Sequence, residues 1–248
     1  MATNKKKNLL MIIPARSGST RVKNKNLRKI GKFPLLFYKI KSCLQSNLGR
    51  VIVSTNSREI AKYSIKLGAE ILFLRPKQYS KSNSSTISAI LHALRYLRNY
   101  EKKLPKYVGV FPPTNPFLDK NSIIKSYKKL LNNNKYTSVV SYYVSEEHPF
   151  NYIDINKKIF FNLFKYKGYS YQDFERTQDR PKAYVLSPAL KISKISYFMN
   201  FISNKNPKFN KKTFDIKNSV GFMISKKEAF DINNLNDYKF ANIIKDIN

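Results

Sequence analysis

The sequence alternates short apolar runs with amphipathic segments at helical spacing, and this alternation is its strongest constraint on the fold. Strands are predicted at residues 9–13, 50–54, 69–72, 107–111, 137–144 and 220–225. Helices are predicted at residues 33–46, 58–67, 86–100, 122–131 and about 235–245. Short buried strands that alternate with helices are typical of a mainly parallel sheet covered on both faces. The pattern therefore predicts a three-layer α/β/α protein with a Rossmann-like sheet.

The alternation breaks near residue 145, where an aromatic-rich stretch begins. Residues 145–185 contain strand-like pieces such as 158–164, together with polar turns. We expect this stretch to form an arm or small lobe, inserted into one domain that spans residues 1–248. Hydrophobic residues make up 42% of the chain and aromatic residues 14%, which is enough for a sizeable core. Disorder is therefore not expected.

Cysteine and histidine are scarce, and this excludes some kinds of site. Cys43 is the only cysteine, so an intramolecular disulfide is impossible. With this cysteine and only two histidines, His92 and His148, a zinc site is not expected. The apolar run at residues 9–14 is too short for a signal-peptide core or a membrane span. We therefore expect a cytoplasmic protein without membrane insertion.

The formal net charge of +32 comes from 47 lysines and arginines against 15 acidic residues. One explanation is a polyanionic partner, because cations that bind phosphates release counterions. The other is drift in an A/T-rich genome, whose codons favour Lys, Asn, Ile, Tyr and Phe. The lysines are spread along the chain, and no element gathers basic with aromatic residues, which favours drift. Specific nucleic-acid binding is therefore not expected.

The loop after the first predicted strand carries the most informative motif. Residues 12–30 read IIPARSGSTRVKNKNLRKI, so Arg16, Gly18 and Arg21 follow the strand directly. In open α/β sheets ligands bind at the carboxyl ends of strands. Gly18 permits a close approach to the backbone, and hydroxyl and amide groups can surround phosphate oxygens. The glycine spacing fits neither the Walker loop nor the dinucleotide fingerprint, and an ordinary basic surface loop has the same composition.

Segments along nearly the whole chain recur, in order, in one known family. They are IIPARSGSTRVKNKNL, IVSTNSREIAKYSIKLGAE, LRPKQYSKSNSSTISAILHAL, PPTNPF, EEHPF, RTQDRPKAY and FDINNLNDYKFA. The chain thereby resembles the N-acylneuraminate cytidylyltransferases, which activate sialic acid and other nonulosonic acids with CTP. The order and spacing of the segments are specific for the family, though not for its substrate.

The resemblance implies a nucleotidyltransferase fold with a small dimerisation arm. It implies a reaction of CTP with an acidic sugar, giving a CMP-sugar and pyrophosphate. The sugar's anomeric hydroxyl attacks the α-phosphate, so the protein mainly positions the reactants and stabilises charge. The resemblance also implies Mg²⁺ as cofactor, and a homodimer in which residues 145–185 pack on the partner.

The resemblance also assigns site residues, position by position. It gives catalytic roles to Arg16, Lys25 and Asp231. The nucleotide-binding set is Ala15, Arg16, Ser17, Gly18, Ser19, Thr20, Arg21, Lys25, Asn26, Arg75, Ser85 and Thr86. The sugar-binding set is Thr114, Asn115, Arg176, Gln178, Lys182 and Ser187, and the metal ligands are Asp231 and Asn233. For Arg75, a surface arginine fixed by the following proline is an equally good interpretation.

The chain departs from the family pattern most on the sugar side. Val185 and Ser187 stand where the family has Arg and Asn, and Pro112 stands where it has Gln. Asn233 replaces a second metal-binding Asp, which predicts weaker Mg²⁺ binding because an amide oxygen carries no charge. We expect an acceptor of the sialic, legionaminic or pseudaminic type. The alternative is a degenerate, non-catalytic relative that binds nucleic acid or another polyanion through its basic surface.

Overall fold

The computed structural model describes residues 8–19, 21–81, 84–155, 161–203 and 213–246. Their strands are β1 (Leu9–Pro14), β2 (Lys29–Ile30), β3 (Phe33–Pro34), β4 (Gly49–Ser54), β5 (Tyr107–Val110), β6 (Ser138–Val144), β7 (Ile153–Ile155), β8 (Phe161–Leu163), β9 (Tyr184–Lys194) and β10 (Ser219–Met223). Their α-helices are α1 (Leu35–Gln45), α2 (Arg58–Lys66), α3 (Thr86–Tyr96), α4 (Lys120–Leu131), α5 (Ser196–Ser203), α6 (Lys226–Ala229) and α7 (Leu235–Asp246). Within these ranges no helix is long and apolar enough to cross a membrane.

Six of these strands form the central sheet, in the order β10-β6-β9-β5-β1-β4. β1 runs parallel to both β4 and β5, and β10 runs parallel to β6. β9 lies between β5 and β6 and is antiparallel to both. The prediction of a mainly parallel sheet is confirmed, with one reversed strand inside it.

Helices cover both faces of this sheet, and β1 shows how the sequence builds the two cores. Leu9, Met11 and Ile13 belong to the core that includes α1, α2 and α4. Leu10 and Ile12 belong to the core that includes α3 and α5. Successive side chains of a strand point to opposite faces, so a strand buried on both faces needs an uninterrupted apolar run. The predicted three-layer α/β/α architecture is confirmed.

A smaller core joins the C-terminal helix to the region after β1. Its buried members are Val22, Ile30, Leu35, Ile232, Tyr238 and Ala241. The Gly31 amide also donates to Oδ1 of Asn242 in α7, at 2.9 Å. These contacts hold the segment before α7 next to the loop that follows β1, although the two are far apart in sequence.

β9 is a strand that the sequence pattern did not predict. Its sequence, YVLSPALKISK, places Ser187 and Pro188 inside the apolar run. Pro188 has no amide hydrogen for the ladder, and the register between β6 and β9 shifts at this level. The Ser141 hydroxyl fills the irregularity, since it accepts from the Leu190 amide at 3.2 Å and donates to the Ser187 carbonyl at 3.1 Å. A long-range side-chain contact therefore completes a strand that looks broken in the sequence.

The strand predicted at residues 69–72 is replaced by two isolated bridges. Glu70 pairs with Ile52, and Leu74 pairs with Thr55. The segment advances four residues between these bridges while its neighbour advances three, so a continuous ladder cannot form.

Two predicted helices are clearly shorter than expected, and two helices, α5 and α6, were not predicted. The helix expected from residue 33 begins at Leu35, because Phe33 pairs with Ile30 in the β2–β3 hairpin. The helix expected at 86–100 is α3 to Tyr96, followed by a π-helical turn at Leu97–Glu101. α5 follows β9 directly, in a part of the chain after residue 185 for which no element was predicted.

Between β6 and β9 the chain contains two short strands that do not join the central sheet. β7 and β8 form a separate two-stranded antiparallel sheet. The turn into this arm is held by His148, whose Nδ1 accepts from the Phe150 amide at 3.2 Å. Because Nδ1 is the acceptor, Nε2 carries the proton and donates to the Pro181 carbonyl at 2.7 Å. His148 therefore orders the base of the arm.

Candidate active site

The loop after β1 turns at two residues with left-handed backbone conformation, Gly18 (φ +77°) and Asn24 (φ +53°). An added Cβ at Gly18 would meet nothing within 4 Å, so the backbone angle, and not crowding, favours glycine. Asn tolerates this conformation better than most residues, and Asn24 leads into the 3-10 turn Lys25–Leu27. The loop thereby returns to its own start, where Nδ2 of Asn26 donates to the Arg16 carbonyl at 2.9 Å.

Neighbouring elements fix the first half of this loop. The amide of Ala15, a fully buried residue, donates to the Ser54 carbonyl at the end of β4, at 2.9 Å. The Ser17 amide donates to Oδ1 of Asn56 at 2.8 Å, and Nδ2 of Asn56 donates back to the Ser17 hydroxyl at 2.9 Å. Asn56 was not among the predicted site residues, because its role depends on the parallel pairing of β1 with β4.

A small cleft opens between this loop and the start of α2. Its lining residues are Arg16, Ser17, Gly18, Ser19, Asn24, Lys25, Asn26, Leu27, Ser57, Glu59 and Ile60. Half of the predicted nucleotide-binding set thus lines one cleft at the carboxyl end of β1. Arg21 is exposed beside it, and Thr20 lies outside the described residues.

Lys25 connects the loop with the C-terminal segment. Burial lowers the pKa of its ammonium group, and the carboxylate of Asp231 acts in the opposite direction. Arg21 and Arg16 lower this pKa further, while Asp237 raises it. The three cations predicted for the triphosphate therefore share one electrostatic environment with the predicted metal ligand Asp231.

Asp231 lies in the segment before α7, and one of its two carboxylate oxygens has no hydrogen-bond partner among the described residues. Oδ2 of Asp231 accepts from Nδ2 of Asn233 at 3.0 Å, whereas the buried Oδ1 has no hydrogen-bond partner among the described residues. Oδ2 of Asp237 accepts from the amides of Asn233 and Asn234 at 2.7 and 2.9 Å. Asp237 therefore caps α7, and Asp231 is the carboxylate of this segment that faces the site.

No group of three or more His, Cys, Asp or Glu side chains that could hold a metal ion occurs in the described ranges. Mg²⁺, however, usually binds one or two carboxylates and completes its shell with water and substrate phosphates. The buried and unpartnered Oδ1 of Asp231 fits that kind of site. The donor set is compatible with a magnesium ion that binds together with a nucleotide.

The PPTNPF segment forms hydrogen bonds to the backbone on both sides of Asp231. Asn115 is fully buried, and its Nδ2 donates to the carbonyls of Ala229 and Phe230 at 3.1 and 3.0 Å. The Thr114 carbonyl accepts from the Ile232 amide at 2.9 Å. These two predicted sugar-binding residues therefore hold the backbone on both sides of Asp231.

Arg75 is neither exposed nor fixed only by its proline. It is 6% exposed, its Nε donates to the Ser54 hydroxyl at 3.0 Å, and its Nη2 donates to the Ser54 carbonyl. Burial and, to a smaller extent, the nearby charge of Arg16 lower the pKa of its guanidinium to about 10. Ser85 and Thr86 begin α3, where Ser85 is half-buried and Thr86 is exposed.

The other predicted sugar-binding residues do not converge on Asp231 within one chain. Arg176, Gln178 and Lys182 are exposed on the arm. Ser187 is 2% exposed, and its hydroxyl accepts from the Ala189 amide at 3.2 Å.

A second pocket, of about 360 Å³, does open beside Asp231. Its lining residues are Tyr143, Leu186, Pro188, Lys226, Ala229, Phe230, Asp231 and Asn233. Lys226 is the one cation of this lining within the described residues, and it pairs with Glu146. Sequence reasoning missed Lys226, because only the packing of α6 against β6 and β9 brings it here.

The sequence profile of the cytidylyltransferase family matches residues 10–228, a range that includes the loop after β1 and ends three residues before Asp231. The chain belongs to this family. The resemblance drawn from the sequence segments is thereby confirmed.

Several curated relatives of this cytidylyltransferase act on nine-carbon acids by name. The N-acylneuraminate cytidylyltransferase of Escherichia coli is 30% identical over 237 residues, which are 94% of this chain and 51% of the relative. The chain thus spans about half the length of that relative. The pseudaminic acid cytidylyltransferase of Campylobacter jejuni is 27% identical, with 96% and 97% of the two chains covered. The CMP-N,N'-diacetyllegionaminic acid synthase of C. jejuni is 26% identical, with 95% and 94% covered.

Solved structures confirm the fold of this cytidylyltransferase. A CMP-2-keto-3-deoxy-manno-octonic acid synthetase complexed with CTP superposes with a TM-score of 0.69 at 11% identity, covering 96% of this chain and 98% of the other. The 4-diphosphocytidyl-2C-methyl-D-erythritol synthase of Anaerococcus prevotii gives 0.62 at 12% identity, covering 96% and 98%. These superpositions show the nucleotidyltransferase fold, and the family assignment rests on the sequence profile.

Proposed function

We propose that this chain transfers CMP from CTP to an acidic nonulosonic sugar and releases pyrophosphate. The observation that carries the proposal is the packing of the loop after β1 against the Asp231 segment, through Val22 and Ile232, with the Asp231 carboxylate acting electrostatically on Lys25. Cations for a triphosphate and a carboxylate for its metal ion are what this reaction needs in one place. The names of the relatives support the nonulosonic class of acceptor.

In this reaction the anomeric hydroxyl of the sugar loses its proton to solvent, and its oxygen forms a bond to the α-phosphorus of CTP. The bond from that phosphorus to the bridging oxygen of the β-phosphate breaks, and pyrophosphate leaves with its electron pair. Arg16, Arg21 and Lys25 are the proposed cations for the triphosphate. Because the loop is already fixed by Asn26 and Asn56, these charges stabilise the leaving group with little reorganisation.

Mg²⁺ is the proposed cofactor, and Asp231 is its proposed ligand, with Asn233 beside it. When bound, the ion would neutralise phosphate oxygens as a Lewis acid. Asn233 holds the Asp231 carboxylate through its Nδ2 group, so it orients the ligand in this structure. Asp231 supplies one negative charge to the ion, where a pair of carboxylates would supply two. The phosphate oxygens of CTP would complete the coordination shell of Mg²⁺.

The pocket beside Asp231 is the proposed acceptor site. A sugar carboxylate requires a cation, and Lys226 lines the pocket. Glu146, the present partner of Lys226, would exchange for the substrate carboxylate. Arg176, Gln178 and Lys182 remain proposed sugar contacts, which an exposed arm could make where it meets the pocket of a second copy.

We also propose that the protein works as a homodimer in the cytoplasm, where CTP is available. Large apolar side chains on the arm and on the ends of β6 and β9 are exposed, including Tyr152, Phe164, Tyr184 and Leu186. Aromatic residues of this kind are enriched at protein interfaces.

The test is release of pyrophosphate from CTP with sialic, legionaminic and pseudaminic acids supplied in turn. We expect turnover with at least one acid, and no comparable turnover with UTP. Arg16→Ala should lower the rate by about a hundredfold or more, because it removes a charge from the transition state. Arg98→Ala, an exposed arginine far along the chain, is the matched control. If calorimetry shows that the protein binds CTP but no acid is turned over, the proposed class of acceptor is wrong while the nucleotide assignment stands.

A further inference from the structure

A pocket of about 500 Å³ opens between α1 and residues 116–120, and α6 and α7 each add one residue to its lining. It shares no lining residue with the cleft of the loop after β1 or with the pocket beside Asp231. Small-molecule sites typically have volumes of about 300–1,000 Å³, so this pocket is large enough for a ligand. The reaction proposed above uses none of its residues.

One wall of this pocket consists of aromatic rings that hold each other in place. Phe33 stacks on Phe37 of α1, with ring centroids 4.1 Å apart and an interplanar angle of 10°. Tyr38 meets Phe37 edge to face at 5.5 Å, and the Tyr38 hydroxyl donates to the Ile30 carbonyl. Phe33 is 42% exposed, although phenylalanine side chains are usually buried. The stacked pair therefore presents a ring to the solvent on which another planar group can stack.

Four lysines and a single acidic residue belong to the same lining, namely Lys41, Lys120, Lys227, Lys245 and Asp119. The ammonium group of Lys41 lies 5.8 Å from the centroid of the Phe37 ring. That of Lys245 lies 5.7 Å from the centroid of Tyr38. Within the described ranges neither Lys41 nor Lys245 forms an ion pair. Attraction of an exposed ammonium group to a ring is weak, so both charges remain available to an anion.

The combination of rings and cations defines the chemistry of a ligand. Lysines are abundant along the whole chain, so charge alone does not identify a site. This pocket differs because lysines lie beside stacked rings in a concave surface of ligand size. Its one carboxylate, that of Asp119, caps α4 by accepting from the Asn121 amide at 2.7 Å. Rings bind planar groups by stacking and ammonium groups bind phosphate, so the matching ligand joins a planar ring to an anion.

We propose that this pocket is a second binding site, which takes a small nucleoside phosphate. The base stacks on the pair of Phe33 and Phe37, and the phosphate is bound by Lys41 and Lys245. A nucleotide bound there leaves the cleft of the loop after β1 open, because the two sites have no residue in common.

The probe for the test is adenosine monophosphate, titrated by calorimetry into the full chain with EDTA and without sugar. Sodium chloride at about 150 mM screens unspecific attraction by the net charge. Lys41→Gln combined with Lys245→Gln should weaken binding about tenfold or more, because two charged contacts to phosphate are lost. Phe33→Leu should weaken it about fivefold or more, since leucine keeps an apolar side chain and removes the stacking face. Adenosine and inorganic phosphate should each bind at least about tenfold more weakly than the nucleotide.

Two control variants separate this pocket from the rest of the surface. Lys62→Gln removes the charge of an exposed lysine of α2 and should leave the affinity unchanged. Arg16→Ala alters the loop after β1 and should retain the site. Loss of adenosine monophosphate binding in Arg16→Ala, with unchanged binding in the pocket variants, would place the nucleotide in that loop and overturn the proposal.

Three further results would also overturn it. They are no binding of adenosine monophosphate, binding of phosphate as strong as that of the nucleotide, and equal affinities in the original protein and the pocket variants. Sedimentation equilibrium of the double lysine variant tests a second copy as occupant. A change in its mass would mean that another chain covers the pocket, and the proposed nucleotide site would then be wrong.

Discussion

Asn26 fixes the nucleotide loop through a single contact. Its side chain is 9% exposed, and its Nδ2 group donates to the Arg16 carbonyl. Together with the bonds of Ala15 to Ser54 and of Ser17 to Asn56, this contact holds the Arg16 backbone in place. The hydrogen bond of Asn26 to the loop backbone should therefore affect the affinity for a nucleotide.

Asn26→Asp should weaken CTP binding between about fivefold and a hundredfold, because a carboxylate oxygen would face the Arg16 carbonyl and leave a buried acceptor unsatisfied, at about 1–3 kcal/mol. Isothermal titration with CTP measures the change. Asn134→Asp makes the same chemical substitution at an exposed site and should bind CTP normally. Equal affinities of the two variants would show that the loop is held by other contacts.

Arg75→Met should lower the free energy of unfolding by about 2–4 kcal/mol, because Ser54 loses its buried partner at the end of β4. Urea denaturation gives the value, and Arg98→Met serves as the exposed control. Should Arg75→Met keep its stability and lose only CTP binding, a direct contact with the nucleotide would be the correct interpretation instead.

Most elements could be predicted from the sequence because their signals are local. The apolar run of β1 and the helical spacing of α3 need no distant partner, and the loop motif lies within a few residues of β1. β9 could not be predicted, since its Pro188 is tolerated only where Ser141 of another strand fills the gap. Asn56 and Lys226 could not be predicted for the same reason, because each reaches the site only through packing between separate segments.

The pairing of β1 with β4 depends on the absence of a side chain at Gly49. A Cβ there would lie 1.7 Å from the Leu9 carbonyl oxygen, which no side-chain movement can relieve. Gly49→Ala should therefore lose more than about 4 kcal/mol of stability or fail to fold. Thermal and urea denaturation test this, alongside Gly168→Ala.

Gly168 is the informative control because it isolates the backbone effect. Its φ is +87°, but an added Cβ would meet nothing within 4 Å. Alanine there should destabilise by about 1 kcal/mol, from strain alone. Comparable losses at both glycines would contradict the steric explanation for Gly49.

The whole molecule has a formal net charge of +32, and only a few of its 47 lysines and arginines lie at the candidate site. Mutual repulsion of like charges destabilises a compact state, and salt screens it. The melting temperature should therefore rise as sodium chloride is increased from about 10 mM to about 500 mM, where the Debye length shortens severalfold. Differential scanning fluorimetry measures it, with sucrose at equal osmolality as control. A flat response would show that the cations are already locally balanced.

The exposed aromatic surface of the arm and of β9 predicts a dimer in solution. Sedimentation equilibrium at micromolar concentration should give twice the chain mass of 29.0 kDa. Tyr184→Glu should shift the mass to that of a monomer, because a charge would be buried in the interface. Tyr100→Glu, which changes a tyrosine that is 73% exposed after α3, should leave the dimer intact. A monomeric unsubstituted protein would refute the interface.

The reversed strand inside the sheet has a consequence for the order in which the protein can fold during synthesis. β5 and β6 are made early, yet they do not pair with each other, because β9 must enter between them. Until residue 194 has left the ribosome, β5 and β6 each keep the edge that will pair with β9 unpaired. At that stage α7, which packs beside the nucleotide loop, has not yet been synthesised. Non-local pairings of this kind slow folding and prolong exposure to aggregation. The nucleotide loop, encoded first, is therefore among the last parts of the chain to reach its final surroundings.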